Sequence, residues 1–306
     1  MNSGSTTTDQ SLKEERMQTN VGVIGLGIMG SSYAENLLQS GHTVIGFDPD
    51  SAAQTRLKLA GGTVRTTPAA VAQECDCILV SLASVDALVA VTTGPNGVTQ
   101  TLQNGTTIID MGTLPLAAKQ DAKNRIENAG GEMLDCPVSG TGAQAKNRDL
   151  VVFASGAEHV IEKMHPILDA IARETQIVGE FGNGTKLKLV ANLLVAVHNV
   201  AAAEALVLAK NSGLDLDMVH DAIRTGAGGS RMFDLRGPMM VDRHYEPATM
   251  KVDVFQKDID LILAQAARSS SATPLMSICA DLYATAMEQG LAKQDTASIF
   301  EVLDKL

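Results

Sequence analysis

With 306 residues the chain is long enough for two domains of roughly 100–200 residues each, and at 45% hydrophobic and 19% charged it has the composition of a globular protein. A net charge of −11 argues against a nucleic acid or an anionic membrane as partner, and 3% aromatic residues without Trp argue against a base-stacking surface. No run reaches the ~20 uninterrupted apolar residues that span a bilayer.

In chain order, residues 1–20 are polar and rich in Ser and Thr. Lacking an apolar core, they read as a flexible tail and not as a secretory signal. From residue 21 to residue 183, short β-branched runs at 21–24, 43–47, 77–82 and 107–110 alternate with segments of helical spacing at 29–39, 51–60 and 116–129. Further strands are expected at 133–135, 150–154 and 176–178. Near-continuous apolar strands alternating with helices predict a parallel sheet covered on both faces, a doubly wound α/β domain of Rossmann type.

The first strand runs into Gly25-Leu26-Gly27-Ile28-Met29-Gly30, a G-x-G-x-x-G spacing between a strand and a helix. In that context Gly25 permits a tight turn, Gly27 admits a pyrophosphate close to the backbone, and Gly30 lets the helix pack on the strand. The helix N-terminus then offers unpaired N–H groups and partial positive charge to the anion. The second strand ends at Asp48, near the ~20-residue spacing of a ribose-binding carboxylate. Such a group accepts the ribose hydroxyls and repels a 2′-phosphate, and no Arg follows closely. NAD is therefore expected over NADP.

Beyond residue 182 the strand signal disappears. Residues 185–211 contain neither Pro nor Gly and predict one helix, apolar on most faces and about 40 Å long. A helix of this kind joins two domains or packs on a second subunit, which predicts a homodimer or homotetramer. Residues 214–306 read as further helices broken at 226–229 and 269–274. The expected division is thus a tail at 1–20, a dinucleotide-binding domain at 21–183 and an all-α domain at 184–306. Cys75, Cys77, Cys136 and Cys279 form no CxxC or Cys/His set, and the six His have no HExxH spacing. No metal is expected. The cysteines read as buried thiols in a reducing, cytoplasmic setting.

Four segments together resemble the β-hydroxyacid dehydrogenase family, which includes 3-hydroxyisobutyrate dehydrogenase and tartronate semialdehyde reductase. They are the glycine turn continuing through Ala34, Asn36 and Leu37; Asp135-Cys136-Pro137-Val138-Ser139-Gly140-Thr141; Gly182 through Lys188 with Asn192; and Lys257-Asp258. Asp295 resembles a further C-terminal element of the family. Two positions depart from the pattern. Thr141 stands where the family has glycine, and Asp110-Met111-Gly112-Thr113 lacks the serine of the family's cofactor loop.

The resemblance implies a dehydrogenase that exchanges a hydride between NAD and a small 3-hydroxy acid or its semialdehyde. Such a reaction needs a group that takes and returns the hydroxyl proton, and a lysine of lowered pKa does both. Lys188 is that candidate, expected in the first turn of the long helix, where partial burial and nearby positive charge lower the pKa and the helix N-terminus further disfavours the ammonium. Asn192 shares its face at i+4, whereas Lys186 reads as a surface lysine. Ser139, Gly140 and Thr141 would hold the acid through successive backbone N–H groups. Thr113 and Lys257 would contact the cofactor. Arg231 and Arg236 flank a Gly-rich turn, either to neutralise an acid or to pair with Asp234, and His198 reads as a packed polar residue. Two other readings share the same pattern: an imine reductase, which usually lacks the lysine, and a dinucleotide-sensing module without catalysis.

Overall fold

The computed structural model describes residues 19–306. The expected tail therefore lies outside the described residues except at its end, where Asn20 already belongs to the first strand. The chain runs β1 (Asn20–Ile24), α1 (Ile28–Gln39), β2 (Thr43–Phe47), α2 (Ser51–Leu59), β3 (Thr63–Val64), α3 (Pro68–Ala72), β4 (Cys77–Val80), α4 (Val85–Thr93), β5 (Thr107–Asp110), α5 (Leu116–Asn128) and β6 (Glu132–Asp135). These strands pair in parallel as one six-stranded sheet of order β3-β2-β1-β4-β5-β6. The order reverses between β1 and β4, and in doubly wound sheets ligands bind outside the strand ends at that point.

Period-two alternation explains how both faces are buried. Val21, Val23, Leu79 and Ile109 enter one apolar cluster, while Ile24, Ile78, Val80 and Ile108 enter the cluster on the opposite face. Local chemistry starts the covering helices. Asp50, Thr67 and Ser84 cap α2, α3 and α4 by accepting from Ala52, Ala70 and Ala87 N–H, and Pro68 occupies the first turn of α3.

The chain then departs from the single sheet expected. β7 (Val138–Ser139), α6 (Gly142–Lys146), β8 (Val151–Ala154), α7 (Glu158–Ile171) and β9 (Glu174–Ile177) build a separate three-stranded sheet of order β7-β8-β9, with β7 antiparallel to β8. Cys136 N–H still donates to Asp110 O in the first sheet, but Pro137 has no N–H to continue that ladder, and its carbonyl accepts from Phe153 N–H of β8 instead.

The remainder is helical: α8 (Asn183–Asn211), α9 (Leu216–Arg224), α10 (Arg231–Val241), α11 (Val252–Arg268), α12 (Pro274–Glu288) and α13 (Ile299–Leu303). By length and composition α8 would suffice to cross a membrane. In this fold it is the shaft against which α10, α11, α12 and α13 pack. Within that bundle the buried Asn199 amide donates to Tyr283 Oη and Thr296 O at 2.7 Å each. The shaft is not buried all round, as its apolar sequence predicted: Val190, Leu194 and Leu208 are 59%, 48% and 69% exposed.

Candidate active site

The glycine turn is shaped by close contacts that leave no room for side chains at two of its three glycines. Gly25 has φ +90°, and a Cβ there would lie 2.2 Å from Ser81 O; a Cβ on Gly30 would lie 1.8 Å from Gly25 O. Gly27 differs, because a Cβ built on it meets nothing within 4 Å. Gly27 also begins α1 with no side-chain cap, so the first N–H groups of the helix are left to a ligand. Leu26 is buried, Ile28 is 76% exposed and Met29 packs against the core. Asp48, at the end of β2, is brought onto this turn: its Oδ2 accepts from Leu26 N–H at 2.6 Å and its Oδ1 from Asp50 N–H at 2.8 Å. An open glycine, an uncapped helix start and a carboxylate at the neighbouring strand end fit a dinucleotide.

Ile28 links this turn to the next group of residues. A Cβ on Gly142 would sit 2.5 Å from Ile28 Cγ2, so the turn after β7 lies against the glycine turn. Gly140 in that turn has φ +141°, and a Cβ there would meet Leu150 Cδ2 at 2.5 Å. The Ser139 hydroxyl and the Gly140 N–H have no protein partner among the described residues. Thr141 departs from expectation. It is the N-cap of α6, and its N–H donates to Gln144 Oε1 at 3.0 Å while its hydroxyl shares a capping box with Gln144. Gln144 is held in turn by Asp149 at 3.1 Å. The Thr141 N–H is thus committed within the protein, and the expected nest of successive N–H groups is reduced at that residue.

Lys188 lies on α8 as its sixth residue, in the second helical turn and not the first. Its pKa is lowered mainly by burial; Asp258 opposes the shift and Lys257 adds to it. Burial and a neighbouring cation, the two causes expected from sequence, thus act on Lys188 here, with Asp258 opposing them. The side chain is half-buried. One turn on, the buried Asn192 amide donates to Asp258 Oδ2 at 2.9 Å. Asp258 Oδ1 lies 3.1 Å from Lys257 Nζ, which donates to Thr113 O at 2.6 Å. A continuous chain thus runs from Asn192 on α8, through Asp258 and Lys257 on α11, to Thr113 in the loop after β5. It joins the helical bundle to the strand-end loops beside Lys188.

The start of α8 packs on the segment that leads into the Ser139 turn. A Cβ on Gly184 would lie 2.4 Å from Phe153 O, 2.7 Å from Asp135 O and 3.0 Å from Pro137 Cδ. The residues singled out from sequence thus fall into two contact groups: Gly25 to Gly30 with Asp48 and the turn at Ser139 to Thr141, and Lys188, Asn192 and Lys257 with Thr113. Other candidates lie elsewhere. Lys186 is exposed and donates to Asn183 Oδ1 at 3.0 Å. Arg236 pairs with Asp295 at 3.0 Å and not with Asp234. His198, half-buried, borders a groove with Ala202, Ala205 and Gly229.

Asp258 was visible in the sequence only as the neighbour of Lys257, and its grip on Asn192 comes from the crossing of α8 and α11. Gln144 was not singled out, although T-x-x-Q before a short helix is a capping-box signature. The four cysteines are free and buried, and among the described residues no three His, Cys, Asp or Glu side chains cluster for a metal ion.

Residues 20–179 match the family described as the NAD binding domain of 6-phosphogluconate dehydrogenase, and residues 182–303 match that described as the NAD-binding region of NADP-dependent 3-hydroxyisobutyrate dehydrogenase. L-Threonate dehydrogenase of Escherichia coli (strain K12) is 34% identical over 284 residues, covering 92% of this chain and 94% of that protein. The 2-hydroxy-3-oxopropionate reductase of the same strain is 30% identical over 285 residues, covering 93% and 97%. A crystal structure of 3-hydroxyisobutyrate dehydrogenase from Salmonella typhimurium is similar with a TM-score of 0.84 at 29% identity, over 93% of this chain and 100% of that one. With both halves matched in sequence, and relatives that align over nearly their whole length, the chain belongs to the β-hydroxyacid dehydrogenase family.

Proposed function

We propose that the protein is an NAD-dependent dehydrogenase of a three- or four-carbon hydroxy acid, with Lys188 as the group that moves the hydroxyl proton. The observation that carries this reading is a half-buried amine of lowered pKa, beside Asn192 on one helix face and next to Asp258 and Lys257, which tie that face to Thr113 in the loop after β5. The nicotinamide, when bound, exchanges the hydride with the carbon bearing the hydroxyl.

This chain's residues would divide the remaining work. The Ser139 hydroxyl and the Gly140 N–H take the substrate carboxylate, since both are free of protein partners. Neutral Lys188 accepts the hydroxyl proton during oxidation, and its ammonium returns a proton to the carbonyl oxygen during reduction. Asn192 gives its Nδ2 to Asp258 and keeps its Oδ1 to accept from the lysine or the substrate hydroxyl. Gly27, the start of α1 and Thr113 hold the cofactor, and Lys257 closes over it from the helical side. The Asp48 carboxylate favours NAD, because a 2′-phosphate beside it would be repelled. The relatives' names, L-threonate dehydrogenase and 2-hydroxy-3-oxopropionate reductase, support a short polar acid as substrate. The exposed apolar face of α8 supports a homodimer or homotetramer.

The test is absorbance at the reduced nicotinamide band, with NAD or NADP and a panel of acids that includes L-threonate and 3-hydroxyisobutyrate. Turnover is expected with NAD above NADP, and Lys188→Ala is expected to lower kcat by ~10²–10⁴-fold while NAD affinity holds. Full turnover in Lys188→Ala rejects the mechanism.

A further inference from the structure

Lys119 has no part in the chemistry above, yet it is 0% exposed on α5, a helix whose Gln120, Asp121 and Asn124 face solvent. Its Nζ lies 2.7 Å from Gly112 O, 2.5 Å from Asp135 Oδ1, 3.0 Å from Thr185 Oγ1 and 3.4 Å from Asp110 Oδ2. Asp110 and Asp135 are register partners at the ends of adjacent parallel strands, so both buried carboxylates leave the sheet side by side. Two such charges need a cation between them. Burial alone would discharge the Lys119 amine, but the two carboxylates outweigh it and keep it an ammonium; burial raises the Asp110 carboxyl.

The cluster also supplies what α8 lacks at its start. Gly182 begins that helix in the left-handed region with no side-chain cap. Its first N–H groups are bound instead from the sheets: Gly184 N–H donates to Ser155 Oγ at 3.0 Å and Thr185 N–H to Asp135 Oδ2 at 2.8 Å. Thr185 Oγ1 is 2.7 Å from Asp135 Oδ1, and Ser155 Oγ is 3.1 Å from Asp135 Oδ2. Each anchor lies a few residues from a working group. Gly112 precedes Thr113, Asp135 leads through Pro137 to Ser139, and Thr185 stands one helical turn before Lys188.

We propose that Lys119 is a positioning residue: its ammonium binds the Gly112 carbonyl, the Asp135 carboxylate and the Thr185 hydroxyl into one cluster that fixes the Thr113 loop, the Ser139 turn and Lys188 relative to one another. The proposal rests on the assignment of those three as working groups. Because a small misplacement of reacting groups is costly, loss of the cluster lowers kcat far more than it raises KM.

Lys119→Met keeps the stem and removes the charge. Two measurements apply to the full chain: steady-state kinetics, and amide hydrogen exchange of residues 110–114 and 183–190 with α12 as internal control. The expected result is kcat lower by about 100-fold with KM for the acid within about threefold, and faster exchange in those two segments while α12 is unchanged. Wild-type kcat, or exchange that rises equally in α12, overturns the proposal. Should Lys119→Met fail to fold, the neutral pair Lys119→Met with Asp135→Asn is judged by the same two criteria, and Lys119→Arg, which retains the charge, should restore local protection. If wild-type protein turns over none of the acids, the proposed function falls, while the exchange measurement still decides the role of Lys119.

Discussion

Lys188 has two charged neighbours of opposite sign on α11, and their balance with burial sets when its amine is neutral. Burial lowers its pKa, Asp258 pulls it back up and Lys257 pushes it down again. If Lys188 moves the hydroxyl proton as proposed, oxidation needs the neutral amine, so its kcat/KM is expected to rise with pH through a limb below the usual lysine value and that of reduction to fall over the same range. Lys257→Met removes a cation, so the Lys188 pKa should rise and the oxidation limb should move to higher pH. A limb that stays in place, or moves to lower pH, contradicts the assignment. Asn192 does not titrate, and its buried bond to Asp258 keeps it oriented whichever form the lysine takes.

At the scale of elements, α8 serves both halves of the molecule. Its first turn is bound by Asp135 and Ser155, its second carries Lys188, and further along it is the shaft of the bundle. At ~100° per residue, Val190, Leu194 and Leu208 fall on one face, and all three are exposed. Exposed apolar rows of this kind mark interaction surfaces. Light scattering of the purified protein should therefore give a mass at least twice that of the chain, and Leu194→Glu should shift it toward monomer. A wild-type monomer at micromolar concentration would refute this use of the face. The glycine turn is an element-scale device too, since Gly30 can approach the Gly25 carbonyl only because it carries no Cβ.

For the molecule as a whole, the helical domain is tied by a buried ion pair that makes stability depend on acid. Burial by itself raises the Asp295 carboxyl, but Arg236 and donors from Thr249, Ala297 and Met250 outweigh it and hold the pKa below the usual carboxylate value. A depressed folded-state pKa adds stability above the unfolded value of about 3.9, and that stability is lost as pH falls through the folded value. Thermal melts should therefore drop below about pH 4. Arg236→Met, which leaves Asp295 buried without its cation, should cost about 3–5 kcal/mol at neutral pH, measured by denaturant unfolding. Melts in which Arg236→Met matches wild type would show the pair to be dispensable.

What depends on local pattern was legible from the residues alone. Strand and helix alternation, the Gly25 to Gly30 turn, the Pro- and Gly-free run of α8, and the lysine and asparagine four residues apart are all written in near-neighbour spacing. Tertiary structure decided what depends on pairing between distant segments. It split β7, β8 and β9 from the main sheet, committed the Thr141 N–H to Gln144, began α8 at Asn183 so that Lys188 falls in its second turn, and gave Arg236 to Asp295 and not to Asp234. It also supplied counter-charges to Lys119, which helical spacing sets on the buried face of α5 with Ala122 and Ile126. The physical reason is that a buried charge is tolerated only where opposite charges converge on it, and those at Asp110 and Asp135 come together only when β5 and β6 lie side by side.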